Sequence, residues 1–485
     1  MTLPEGWVET TIGEVVQPIE TANPAGKPDH TFRYVDIGSI DNRLLAITEP
    51  KEILGRDAPS RARRRIRRGD ILFSTVRPYL KNIAQVPAAL DGEFTSTGVC
   101  VLRGQEGVES GFLFRRVASQ DFIDAMTLAS DGTMYPAIAD KDVFAGAISL
   151  PPKAEQRRIV AKLDALTARL ARARAELDRV PVLVEREHLA LLRAGITGSL
   201  TAEWREASDV EPIAETLQHI PAPQQGRGGR EATDKVIPGT AGIAVNDPGT
   251  PLPPGWAWVS LLRVAKQETG HTPSRSKPEY WDGGVPWIGI RDAGAHHGRV
   301  IETTMQTISE AGLANSSARL LPAETVCLSR TASVGYVTMM KGSMATSQDF
   351  ATWTCTEALL PEYLLYALMA EGDDIQRFGM GSTHTTIYFP EIRAFHIALP
   401  PVEEQREIVS RLKTALTRAD RMEAEGARAR ALIDRLEAAI LAKAFRGELV
   451  PQDPNDEPAS VLLDRIRAER AAAPKAKRGR RPKAG

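Results

Sequence analysis

The segment LPEGWVETTIGEVV, which starts at Leu3, returns as LPPGWAWVSLLRVA from Leu252, and this repetition constrains the fold more than any other property of the chain. Further segments recur in the same order. IGSID at 37–41 is answered by IGIRD at 288–292, and ISLPPKAEQRRIVAKLDAL from Ile148 by IALPPVEEQREIVSRLKTAL from Ile397. ITGSL at 196–200 matches FRGELV at 445–450. Gln156 and Arg157 stand 249 residues before Gln405 and Arg406, so the register holds across each copy. Units this long, present only twice, are not solenoid repeats; a duplicated module of one globular domain followed by one long helix accounts for them.

A chain of 485 residues exceeds what one core usually organises, and 42% hydrophobic residues are enough for two. The expected division is a globular domain at 1–150, a long helix at 151–206 with a break near Pro181, and a Pro/Gly-rich linker at 207–251. A second globular domain at 252–400, a second long helix at 401–450 and a C-terminal extension at 451–485 ending in a basic tail follow. Strand-like runs such as DILFSTV, TGVCVL, VPWIGI and TVCLSRT alternate with helical stretches such as GFLFRRVASQDFIDAM and PEYLLYALMAE, so each domain is expected to be mixed α/β. The proline and glycine content of the linker predicts an extended or partly disordered segment.

The long helices begin after Pro151-Pro152 and Pro400-Pro401, with Glu155, Glu403 and Glu404 in their first turns. Ile159, Leu163, Leu166, Leu170, Ala173 and Leu177 recur at steps of three and four in the first helix. Ile408, Leu412, Ala415, Ala419, Met422, Gly426, Ala429, Ile433, Leu436 and Ile440 continue that pattern in the second. This spacing predicts a seam for another helix; the alternative is a helix lying on its own domain.

Three scattered cysteines make neither a disulfide framework nor a four-ligand zinc site, and a reducing cytoplasm fits them. No apolar run approaches the roughly 20 residues of a membrane span, and the N-terminus reads as carrying no export signal. The chain holds no Asn/Asp-Pro-Pro-aromatic motif, no strand-anchored Gly-x-Gly-x-x-Gly, no phosphate-binding loop and no His-Glu-x-x-His, so no catalytic, cofactor-binding or metal site is expected in it.

Together these motifs identify the chain as similar to the DNA-specificity subunits of type I restriction-modification systems. The residues that carry the resemblance are LPEGW and LPPGW, TGHTPSRSKPEYWDGGVPWIGIRD at 269–292, GSTHTTI at 381–387, the two LPPxxEQRxIV segments and AKAFRGELV at 442–450. The resemblance implies two target recognition domains, each reading half of a split double-stranded DNA sequence. It also implies two helices paired as an antiparallel coiled coil, docking two adenine methyltransferase subunits. S-adenosylmethionine would belong to those partners, and ATP and Mg to restriction/translocase subunits of the full complex. The first domain departs from the pattern, with PIETANPAGKPDHTFRYVDIGSID and DGTMYPAI in place of the second domain's motifs.

For DNA, Arg61, Arg63, Arg64, Arg65, Arg67 and Arg68 form a cluster that could neutralise phosphates or read guanine; a solvated loop is the alternative. Ser74, Thr75, Arg77, Tyr79 and Lys81 follow it, matched by Ser329, Arg330, Thr331, Ser333 and Tyr336. Ser382, Thr383 and His384 sit in a glycine-rich turn suited to phosphate approach, with Thr133 and Tyr135 as first-copy counterparts. Trp281 and Trp287 fit core better than surface. The tail residues Lys475, Lys477, Arg478, Arg480, Arg481 and Lys483 resemble a nonspecific DNA-binding arm. Against DNA recognition stand two other readings: a coiled-coil scaffold with protein-binding domains, and part of a fused methyltransferase-nuclease.

Overall fold

The structure, a computed structural model, describes residues 3–129, 136–226, 231–379 and 385–472. It forms two compact units, Met1–Leu177 with Arg428–Gly485, and Asp178–Ala427. Neither follows the linear division expected above: each combines one globular domain with parts of both long helices.

In the first unit the frame is carried by β1 (Val8–Thr11), β2 (Val16–Gln17), β3 (Ala62–Arg65), β4 (Ile71–Ser74), β5 (Ile83–Gln85), β6 (Val99–Gly104) and β7 (Ala147–Leu150). The antiparallel order β2-β6-β4-β5 builds one sheet, with Ser74 opposite Val99 and Ile71 opposite Gln85. All four residues of β4 are buried, as a continuous Ile-Leu-Phe run in a central strand requires. The turn before it is held by Asp70. That buried carboxylate accepts the Arg67 amide at 2.8 Å and a two-pronged Arg103 guanidinium at 2.9 and 2.7 Å. A second sheet joins Lys51–Leu54, Thr31–Val35, Phe94–Ser96 and β3, with β3 at its edge. Helices α1 (Ser110–Val117) and α2 (Lys153–Leu177) close the core around Phe73, Phe112, Phe122, Ile148 and Ile159.

The second unit repeats this frame with β8 (Ile243–Val245), β9 (Ala257–Ser260), β10 (Ala265–Glu268), β11 (Val326–Ser329), β12 (Val337–Met340), β13 (Phe350–Cys355) and β14 (Phe395–Leu399). Its central order, β10-β13-β11-β12, matches β2-β6-β4-β5 strand for strand, with Val300–Ile301 added beyond β12. The pair β9–β14 matches β1–β7. Its helices include α3 (Val180–Ile196), α4 (Ile213–His219), α5 (Pro361–Ala370) and the front of α6 (Val402–Phe445).

The expected linker at 207–251 is a correction. It contains α4, and its β8 pairs with the edge of β14 left open by β9. Ile213, Ile243, Ala244 and Val245 are buried. The Glu371 carboxylate gathers the amides of Thr240, Ala241, Gly242 and Ile243 at 2.7 to 3.1 Å. The glycines that suggested looseness serve close approach instead: a Cβ on Gly242 would meet Ile196 Cγ2 at 2.1 Å.

Between α2 and α3 the first long helix stops at Leu177 and restarts at Val180. Pro181 falls in the first turn of α3, where a missing amide costs nothing. The second helix, α6, runs unbroken for 44 residues. Pairing is antiparallel in each unit: Gly195 meets Ile408 and Leu412 while Val180 meets Gly426, and Arg174 bonds Asp434 and Glu437 while Ile159 and Leu163 share a cluster with Ala444. Ile159, Leu163, Ile408 and Leu412 are buried, and Leu166, Leu170, Leu177, Ile433 and Ile440 are half-buried. Met422 and Leu436 are exposed, against expectation. Gly426, Ile433 and Ile440 are common to two possible step patterns, and the half-buried Arg430 and Glu437 occupy the intervening positions.

The extension at 451–485 is also more than a tail. Helix α7 (Ala459–Ala472) buries Ala459, Leu462 and Ile466 in the first unit's core, and Leu463 is buried as well. The Ala459 amide bonds the Gly6 carbonyl at 2.8 Å, as Ile213 bonds Gly255 at 3.0 Å, so α7 is the counterpart of α4. Among the described residues no helix is long and apolar enough to cross a membrane.

Candidate nucleic-acid interface

Strand alternation divides the arginine cluster. Along β3, Ala62 is buried and Arg64 lies on its side of the strand; the Arg64 guanidinium donates to the Val99 carbonyl at 2.7 Å and to Asp140 at 3.0 Å. Arg63 reaches Asn23 at 2.7 Å, and Arg67 pairs with Glu20. Arg65 is exposed, touching the Gly92 carbonyl at 3.1 Å. Arg61 and Arg68 are exposed, and among the described residues their guanidinium groups have no partner. Arg61, Arg65 and Arg68 are therefore exposed, and Arg64 belongs to the fold.

This division has a measurable consequence. Alanine at Arg61, Arg65 or Arg68 is expected to lower duplex affinity and to reduce the slope of log affinity against log salt by about 0.9 for each phosphate no longer neutralised. Arg64→Ala should instead lower stability, because Asp140 loses its cation. Titration of a target duplex at several salt concentrations checks it; unchanged slopes for all three would remove β3 and its flanking residues from the interface.

Ser74, Thr75 and Ser329 correct the expectation of base contact. All three are buried, with hydroxyls donating to the carbonyls of Val76, Gly98 and Ser333 at 2.9, 2.9 and 2.5 Å. The loop after β4 does protrude. Arg77 and Lys81 take left-handed backbone, φ 50° and 55°, around a tight turn at Pro78–Leu80, and Tyr79 is 48% exposed at its tip. Asn42 Nδ2 pins the turn through the Leu80 carbonyl at 2.9 Å. A rigid loop offering Tyr79 and Lys81 can donate to phosphate or base edges without paying to order itself.

In the second unit, Thr331 bonds Asp349 at 2.6 Å and Ser333 is exposed. Tyr336 is half-buried beside His297. The Arg330 guanidinium lies 4.4 Å from the Phe389 ring and donates to the Gln348 carbonyl at 3.0 Å; its burial pulls its pKa below the ordinary arginine value. Trp287 is core, as expected, and Trp281 is half-buried beneath Arg275, whose guanidinium stacks 3.8 Å from its ring and reaches Gln306 at 3.0 Å. A cleft of about 470 Å³ opens beside this stack, lined also by Arg291 and Met305. Thr133, Tyr135, Ser382, Thr383, His384 and the basic tail residues lie outside the described residues. Among the described residues no three His, Cys, Asp or Glu side chains could hold a metal ion.

Sequence reasoning missed the joint that carries each domain on its helix. Trp7 Nε1 donates to the buried Glu155 at 3.0 Å, and Trp256 Nε1 to the buried Glu404 at 2.8 Å. Gln156 ties the Pro151 carbonyl to the Glu109 amide, as Gln405 ties those of Pro400 and Leu360. The far end of the other module's helix completes each joint. Gly447 and Gln452 reach Trp7 and Glu155; Gly198, Thr201 and Arg205 reach Trp256 and Glu404. The signal was available, since Trp, Glu and Gln recur together at the 249-residue offset.

Residues 253–426 match the family model described as Type I restriction modification DNA specificity domain. The chain is similar to the type I restriction enzyme EcoKI specificity subunit of Escherichia coli (strain K12), 25% identical over 77% of this chain and 74% of that one. Among solved structures it is similar to the HsdS subunit from Thermoanaerobacter tengcongensis, 34% identical, covering 93% of this chain and 99% of that chain with a TM-score of 0.64. A chain from a study of complex assembly and conformational transition of the type I R-M system is 33% identical, covering 93% of this chain and 100% of that chain with a TM-score of 0.70.

Proposed function

The chain belongs to the specificity subunits of type I restriction-modification systems, and from that membership we propose that each of its two modules reads one half of a split DNA target while separate subunits perform the chemistry. It is the DNA-recognition subunit of a larger assembly. The observation that carries the division of labour is the duplication itself, since two domains with the same strand order sit on the same Trp–Glu–Gln joint. Equivalent joints offer equivalent docking positions, hence two methyltransferase subunits per chain. S-adenosylmethionine is held by those partners, and ATP and Mg by restriction subunits. The assembly works in the cytoplasm, where the three free thiols of this chain stay reduced.

The isolated chain is accordingly expected to transfer no methyl group. Reconstituted with its methyltransferase, it should give a complex with two methyltransferase copies by mass and adenine methylation confined to one split motif. Turnover of S-adenosylmethionine by the chain alone would overturn the assignment of chemistry to the partners.

A further inference from the structure

The first module leaves open an edge that the second module fills. Ile12 donates its amide to the Gly146 carbonyl at 2.8 Å. Alternate pairs along β1–β7 therefore bond each other, and the amides and carbonyls of Ala147 and Ser149 point away from β1. At the equivalent edge of β14, the Ala398 amide donates to the Gly242 carbonyl at 2.8 Å, and Ala244 of β8 stands opposite His396. Strands β1 and β7 form a two-stranded sheet, with no third strand among the described residues. Beside the open edge lies a cleft of about 870 Å³ between Glu9, Ala147 and Ser149 on the sheet and Ala438, Leu441 and Phe445 on α6.

One side chain stands where the strand would be. Arg116 Nε and Nη2 donate to the Ala147 carbonyl at 3.2 and 3.1 Å. Aligning α1 with α5 through the Glu109 and Leu360 amides puts Arg116 at the position of Ala367, a buried residue. The second module has a small side chain and a strand there; the first has a guanidinium and a cleft.

We infer that the outer edge of β7 accepts an extended strand from a protein partner, added antiparallel as β8 is added to β14, and that this partner is one of the two methyltransferase subunits, the one at the first module, since β8 already fills the matching edge of the second; the inference rests on the assembly proposed above. Exposed edge amides and carbonyls are what strand addition uses. The chain's own residues 473–485, APKAKRGRRPKAG, are a poor occupant, with no β-branched or aromatic residue and two prolines that lack the amide. DNA is a poor occupant too. Arg43, Lys81, Arg116 and Arg446 around the cleft are balanced by Glu9, Asp121, Asp434 and Glu437, leaving no net field for phosphate. The incoming strand places an amide on the Ala147 carbonyl in place of Arg116, which keeps Ser119 and Asp121 as partners.

Hydrogen exchange on the full chain tests this, measured free, with target duplex and with the methyltransferase subunit. Exchange at the Ser149 amide is expected to slow at least tenfold with the methyltransferase and not with DNA, while Ala398, already bonded, stays unchanged. Ser149→Pro removes a donor that does not serve β1, and should weaken methyltransferase binding by about tenfold with DNA affinity retained. Should that variant fold poorly, Ala438→Trp fills the cleft from the helix side and is expected to weaken binding to the same extent. A methyltransferase complex without Ser149 protection overturns the inference alone; failure of any complex to form overturns the assembly reading with it. Protection by DNA, protection in the free chain that vanishes on deleting 473–485, or full methyltransferase affinity in both variants would each overturn it as well.

Discussion

Glu404→Ala is expected to destabilise the second module by about 3–5 kcal/mol, and Glu155→Ala the first by only about 1–3 kcal/mol. The two carboxylates occupy equivalent places but not equivalent fields. Glu404 is fully buried and accepts from Trp256, Thr201 and Arg205, the last a guanidinium whose side chain is itself 15% exposed. Its removal strands a nearly buried cation, which is the costly case. Glu155 accepts from Trp7 and Gln452, both neutral, so its removal leaves only uncharged donors. Burial pushes the Glu155 pKa above its ordinary value of 4.5 against those hydrogen bonds. A carboxyl whose folded pKa is raised holds its extra proton preferentially in the folded state. Its favourable contribution is complete below the unfolded value and is lost as pH rises through the folded one. The first module's stability should thus decline as pH rises above about 4.5 through that raised value, and Glu155→Gln should flatten this part of the profile. Denaturant unfolding of each variant, followed by tryptophan emission, measures both effects. Equal destabilisation at the two positions would mean that Arg205 contributes nothing to the joint.

How far the chain could be read from its letters depended on whether a residue's neighbours were near in sequence. The duplication was legible because LPxGW, EQR and the glycines after each helix keep one offset, and it carried the paired sheets with it. The helix seam was legible in part. Gly426, Ile433 and Ile440 satisfy two step patterns, and hydrophobicity favoured Met422 and Leu436, whereas the ion pairs of Arg174 with Asp434 and Glu437 line the other. The linker misled because proline and glycine suggest disorder, while the partners that order it, Glu371 and β14, lie far along the chain. Of the candidate interface residues, the exposure of Tyr79 and of three arginines agrees with their polar composition, but burial of Ser74 and Ser329 follows from strand pairing, and that of Thr75 from its bond to Gly98, none of which local sequence contains.

Exchange of the second recognition domain is expected to change one half of the DNA target, and the boundaries of the exchange decide whether it works. Replacing residues 252–400 alone gives the foreign domain a native β8 to pair with its own last strand. It also removes Glu371, leaving the amides of Thr240, Ala241, Gly242 and Ile243 without their acceptor. The amides of Gly242 and Ile243 are buried, and buried donors left unpaired cost about 1–3 kcal/mol each, a sizeable share of a domain's stability. Replacing 209–400 moves α4, β8 and Glu371 as one body and leaves the first unit untouched. That chimera should fold and methylate a motif with one half unchanged and the other that of the donor. Each mismatched base pair costs about 1–3 kcal/mol, so two or more in the old half-site should depress its methylation by at least about thirtyfold. Sequencing of methylated sites from a randomised library, run on both chimeras with the same methyltransferase, reads the result directly. A motif altered in both halves would show that the modules do not read independently. An unaltered motif in the well-folded 209–400 chimera would place the base contacts outside those residues.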